Sequence, residues 1–191
     1  MPDRPVKSGG KYTVTSPALM PGGDDKVFRE FIQDFQAFAA HISQCRSLFG
    51  MHAGLSGSTY STLVSIAHLN RSGEVGVSRV AEHLSLSGAY VTIEVNKLVK
   101  EGLIDKQGSE ADRRRVILRV TEKGEKVLAR LRPIIAPVND CLFQGLTPEE
   151  FVLMAGLMKR LVPNGAQALT LGEYLVNQNE DHTRPEPAEN G

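Results

Sequence analysis

The chain is 191 residues long, 41% hydrophobic and formally neutral, with 22 basic against 22 acidic side chains. That length suits one ordinary domain or a compact domain with extensions, and the apolar content excludes wholesale disorder. Two cysteines, Cys45 and Cys141, are too few for a disulfide framework. No apolar run reaches the ~20 residues of a membrane helix, and the first residues lack the apolar block of a signal peptide. The expectation is a cytoplasmic protein without membrane contact.

Residues 1–23 are rich in Pro, Gly and Ser and read as a loose arm. From Asp24 to about Met51, Phe28, Phe31, Phe35, Phe38, Ile42, Cys45 and Phe49 recur in steps of three and four, which predicts a long amphipathic helix with a phenylalanine-rich face. "AGLSGS" breaks it. A second helix follows from about Ser58 to Leu69, with Tyr60, Leu63, Ile66 and Ala67 inward, and "NRSG" ends it.

"VSRVAEHL" predicts a short helix capped by Ser78, with Val80, Ala81 and Leu84 inward. The next stretch, "LSGAYVTIEVNKLVKEGLI", alternates like a strand over its first half, but strict alternation would turn Lys97 inward and Leu98 outward. At helical spacing Val91, Val95 and Leu98 share one face with Val99 beside it, while Ala89, Ile93, Asn96, Lys97 and Lys100 gather opposite. Ser87 suits the N-cap, and Gly102 the positive φ of a helix end.

Leu103–Lys106 is predicted as one strand, and Val116, Leu118 and Val120 as the inward residues of a second. The polar stretch between them forms a basic hairpin tip. It belongs to an uneven charge distribution: from Arg71 to Arg132, 13 basic side chains exceed 9 acidic ones by four, leaving −4 for the rest of the chain. The excess peaks at "DRRR", which reads either as a solvated charge run or as a surface for a polyanion. Thr121 then caps a helix running towards Phe143, which Pro133 and Pro137 must kink or break. "LTPEEFVLMAGLMKRLV" opens a last helix with Thr147 as N-cap and Pro148 at its first position. Phe151, Val152, Leu153, Met154, Leu157, Met158 and Leu161 make it apolar on nearly all sides, more than one contact can bury. The polar, Pro/Glu-rich end, residues 166–191, reads as a disordered tail.

Two short helices and a basic hairpin make a winged helix-turn-helix. On "VSRVAEHLSLSGAYVTIEVNKLVKEGLI" and "DRRRVILRVTEKG", the second matching at Asp112, Arg114, Leu118, Thr121 and Gly124, the sequence resembles the MarR (multiple antibiotic resistance regulator) family from about Asp24 to Val162. The resemblance implies a mainly α fold with a small β-hairpin wing. Its parts would be an N-terminal dimerisation helix (24–55), a DNA-binding domain (56–124) and C-terminal dimerisation helices (125–165). It implies a homodimeric regulator, a repressor on a palindromic operator in double-stranded DNA, whose second short helix enters the major groove. Ser87, Gly88, Ala89, Tyr90, Thr92, Ile93 and Asn96 would meet base edges, and Lys97 and Lys100 phosphates. Arg114 would reach the minor groove from the wing, oriented by Asp112 and flanked by Arg113 and Arg115. Relatives often carry a polar or basic residue at position 93, so Ile93 shifts the expected contact there to a thymine methyl; its alternative is packing on a neighbouring element.

Family members also respond to small ligands. Arg46 lies on the phenylalanine-rich face, where a buried charge needs a partner: the carboxylate or phosphate of an aromatic effector or thioester, with His41, Phe49, Tyr60 and His68 as walls. The alternatives are a structural ion pair or a side chain reaching back to water. Cys45 is read as a core residue first and as a peroxide-sensing thiol second. His41 and Cys45 are spaced for a metal, but no further ligands recur, so neither metal nor cofactor is expected. A winged-helix module that binds protein is the competing class; no sequence motif indicates an enzyme.

Overall fold

The computed structural model describes residues 11–108 and 116–183. Its elements are α1 (Lys26–His52), α2 (Gly57–Asn70), α3 (Val77–Leu84), α4 (Gly88–Lys100), β1 (Ile104–Gly108), β2 (Val116–Val120), α5 (Glu122–Leu142) and α6 (Pro148–Thr183). The architecture is mainly helical, with one two-stranded antiparallel hairpin whose register pairs Ile104 with Val120 and Gly108 with Val116. The wing tip, with Asp112, Arg113, Arg114 and Arg115, lies outside the described residues.

One apolar core joins α2, α3, α4 and the wing. Leu63 and Ile66 of α2, Val80 of α3, Val91, Val95 and Leu98 of α4, Ile104 and Leu118 are all fully buried in it. The helical reading of the ambiguous stretch therefore holds. Ser87 caps α4 by accepting from the Tyr90 amide, and Gly102 sits at φ 67° just beyond the helix, where a side chain would strain the backbone. A smaller cluster of Phe49, Tyr60 and Leu131 fastens α1 and α5 to α2.

Two local expectations are corrected. Gly76, not Ser78, precedes the first turn of α3 and no side chain caps it. The chain turns there because the Val75 carbonyl is held by the Leu118 amide of β2 at 2.7 Å. In β2, Val116 is exposed while Ile117 and Leu118 are both buried, so burial does not alternate. The outer edge of that strand is covered: Asn70 donates to the Leu118 carbonyl and accepts from the Val120 amide, completing the backbone pairing that an edge would lack. Of the two outcomes expected at Pro133 and Pro137, α5 does not break there: it runs on with Leu131, Ile135 and Val138 packed against the smaller cluster on both sides of the prolines. Among the described residues the phenylalanine-rich face of α1 is largely uncovered: Phe31 and Phe35 are exposed, Phe38 meets the Phe143 ring edge to face, and only Phe49 is buried.

Described stretches next to both ends are ordered. Asp25 is buried and accepts from both the Thr13 amide (2.8 Å) and its hydroxyl (2.7 Å), tying residues near 13 to the start of α1. These hydrogen bonds, foremost the backbone one, hold its carboxyl below the usual range. Thr147 opens α6 through a reciprocal box, its hydroxyl accepting from the Glu150 amide while Glu150 accepts from the Thr147 amide. From there α6 continues through Pro163 to Thr183, well into the stretch read as tail. Among the described residues no helix is long and apolar enough to cross a membrane.

Candidate nucleic-acid interface

Burial of Val91, Val95 and Leu98 turns the opposite face of α4 outward, and Ala89, Tyr90, Thr92, Ile93, Asn96, Lys97 and Lys100 are all exposed. Ile93 is 55% exposed, so it is not packed on a neighbouring element. The loop before α4 is held tightly: Ser85 takes a left-handed conformation (φ 53°), and the Leu86 amide reaches back to the Ala81 carbonyl, a helix-ending turn that fixes the angle between α3 and α4.

The polar residues of this face are not all free. The Ser87 hydroxyl is engaged as the cap, and the Thr92 hydroxyl donates to the Gly88 carbonyl at 2.8 Å. Lys106 of β1 donates to Asn96 Oδ1 at 2.6 Å, which leaves the Asn96 amide nitrogen as its outward donor. Lys97 donates to Glu94 at 2.8 Å, so the ammonium expected to sit on a phosphate already has an internal partner. The sequence reading missed Glu94. It is 2% exposed and also accepts from the Thr59 hydroxyl at 2.6 Å. Burial opposes its ionisation, but the hydrogen bonds from Lys97 and Thr59 outweigh it and hold the carboxyl below the usual range. A helical acid three residues before a lysine was the signal that could have found it.

A second feature is a cleft of about 1240 Å³ bounded by α1, α2, α5 and the start of α6. Arg46, Phe49, Tyr60 and His68, four of the predicted effector residues, line it; His41 is exposed and stands outside it. Cys45 lines it too, packed on the Phe49–Tyr60–Leu131 cluster. The Phe49 and Tyr60 rings meet edge to face at 6.2 Å. Burial pushes the Tyr60 hydroxyl up, against the opposing charge of Arg46. Arg46 makes no ion pair with the acidic side chains of the described residues. Arg71 and Arg132, which the sequence reading did not single out, add positive charge, and Glu125 and Asp140 balance it. At the α2 wall His68 stacks on His83 of α3 at 5.6 Å. Burial, and then the nearby His68 and Arg46 charges, hold His83 below the usual histidine range.

The faces of α4 predict a contrast in stability. Ile93→Ala should change unfolding free energy by no more than about 0.5 kcal/mol, whereas Leu98→Ala should cost about 2–5 kcal/mol. Denaturant unfolding checks both, and a large loss at Ile93 would mean that the helix is turned the other way.

The comparisons agree with this geometry. The family profile described as "Transcriptional regulator SarA/Rot" matches residues 49–131, from the end of α1 into α5. The chain is 30% identical over 109 residues to the HTH-type transcriptional repressor MdtR of Bacillus subtilis, covering 55% of this chain and 68% of that one. A MarR/EmrR family transcriptional regulator from Acinetobacter superposes with a TM-score of 0.62 at 19% identity, over 74% of this chain and 99% of the other. CouR from Rhodococcus jostii, solved bound to p-coumaroyl-CoA, gives a TM-score of 0.60 at 18% identity, over 66% and 87%. These relatives are transcriptional regulators rather than enzymes. With its helix pair, wing and flanking helices, the chain belongs to the MarR family of winged helix-turn-helix transcriptional regulators.

Proposed function

We propose that the chain acts as a homodimeric repressor that reads a palindromic operator with α4 and is released by a small aromatic anion. The observation that carries this reading is the exposed face of α4, apolar at Ile93 and basic at Lys97 and Lys100. Ser87, Gly88, Ala89, Tyr90, Thr92, Ile93 and Asn96 would meet the bases there, with Ile93 on a thymine methyl. Lys100 would bind a phosphate directly, and Arg113, Arg114 and Arg115, oriented by Asp112, would extend the contact from the wing.

Two kinds of exposed apolar surface support the dimer. On α1 these are Val27, Phe31 and Phe35; on α6 they include Val152, Leu153, Leu161 and Val162. Surfaces this extensive are costly to leave in water and are typical of subunit interfaces. A two-fold pair would present its α4 helices to half-sites about one DNA turn, ~34 Å, apart. The domain plan follows: residues 24–55 and 125–165 dimerise, and 56–124 bind DNA. The full chain should form a dimer whose DNA affinity falls steeply with salt. A chain ending before Thr147 should do neither, as checked by sedimentation and fluorescence anisotropy. A truncated chain that dimerised and bound normally would refute the role given to α6, and a flat salt response of the full chain would favour a protein partner.

The effector reading rests on the cleft. Arg46, beside the Phe49 and Tyr60 rings and without an ion pair among the described residues, suits the carboxylate of an aromatic acid or the phosphates of its thioester. The thioester bound in the CouR structure is of that chemical class. Cys45 is then a cleft wall rather than a peroxide sensor, since it packs with apolar neighbours. Arg46→Ala should abolish the effector's stabilisation of the protein and its release of DNA, leaving DNA binding without effector intact. A thermal-shift and anisotropy screen of aromatic acids and thioesters checks this, and an unchanged response would exclude Arg46 from the site.

A further inference from the structure

Glu94 has no role in the reading above, yet it is one of only two acidic side chains buried among the described residues. The other, Asp25, secures the N-terminal segment through Thr13. Glu94 lies on α4 next to the apolar stripe and faces the first turn of α2. Its Oε2 accepts from Thr59, whose hydroxyl is 2.7 Å from that of Ser56, the cap of α2; Ser56 is in turn 2.9 Å from Ser58. Its Oε1 accepts from Lys97.

Stability alone does not account for a charge in this place. An ionised carboxylate is expensive to bury, and an apolar side chain of similar volume commonly does as well or better. What the acid does accomplish is to hold Lys97. The Lys97 side chain remains 53% exposed on the outward side of α4, so its ammonium is within reach of solvent and yet tied to a buried anion. To move to a phosphate it must leave Glu94 with only its hydroxyl donors, a loss that poorly seated DNA does not offset. Where α4 seats fully in the groove, the remaining contacts do offset it.

We propose that Glu94 is a specificity-determining residue acting through Lys97, withholding that ammonium from phosphates on non-operator DNA. The proposal rests on α4 being the DNA-reading helix. It is tested with the full chain, a random-sequence duplex and a duplex selected for tight binding from a random pool. Glu94→Gln keeps the shape and can still accept from Thr59, but frees Lys97. Non-specific affinity should rise several-fold, and the slope of log affinity against log salt should steepen by about one, the value for one added phosphate contact. Discrimination between the two duplexes should fall, and adding Lys97→Gln should restore the original slope. Lys97→Gln alone, whose amide can still donate to Glu94, should weaken binding to the selected duplex more than to the random one, with the melting temperature recorded alongside. A buried residue with a purely structural role would move the melting temperature but not the salt slope. An unchanged slope in Glu94→Gln, or an equal loss on both duplexes in Lys97→Gln, overturns the proposal. A salt-independent wild type overturns the DNA reading beneath it.

Discussion

The packing of Val91, Val95 and Leu98 of α4 into the core shared with Leu63 and Ile66 of α2 is the contact on which the rest depends. A helix buried along one narrow stripe has no freedom to rotate about its axis. That stripe therefore decides which side chains are offered outward, and it does so at positions that themselves touch nothing but core. Leu118 of β2 enters the same core and holds Val75 through its backbone, so the wing and α3 are set relative to α4 by one apolar unit. Close packing of this kind transmits small displacements rather than absorbing them.

Helix α2 touches both α4 and the cleft. Thr59 in its first turn donates to Glu94 of α4, while Tyr60 and His68 line the cleft. The stacked His68 and His83 pair adds a direct link from the cleft wall to α3. One helix therefore borders both the cleft and α4.

The helical elements and the outward face of α4 were legible in the sequence because both follow from hydrophobic periodicity along a single element. The buried stripe required only the spacing of Val91, Val95 and Leu98, and the caps at Ser87, Thr121 and Thr147 follow from local residue chemistry. What escaped depends on pairs of residues far apart in the chain. Glu94 reads as a surface acid until Thr59 is placed against it, 35 residues away. Asn70 reads as a helix terminator until β2 arrives beside it. His41 shares a helix with Arg46 but is exposed and outside the cleft; a register judged from α1 alone does not reveal where α5 and α6 border that space. The continuity of α5 across two prolines likewise rests on packing that propensity does not anticipate.

Reading of bases in the major groove by the outer face of α4, with Ile93 at its middle, can be tested one methyl group at a time. The most direct measurement replaces each thymine of a selected duplex in turn by uracil, deleting one C5 methyl group, and records affinity for the wild type and for Ile93→Ala. A several-fold loss is expected at one thymine in each half-site, at symmetric positions about one helical turn apart, ~34 Å, and no such loss for Ile93→Ala. Indifference of the wild type at every thymine, or equal sensitivity of the two proteins, would contradict it.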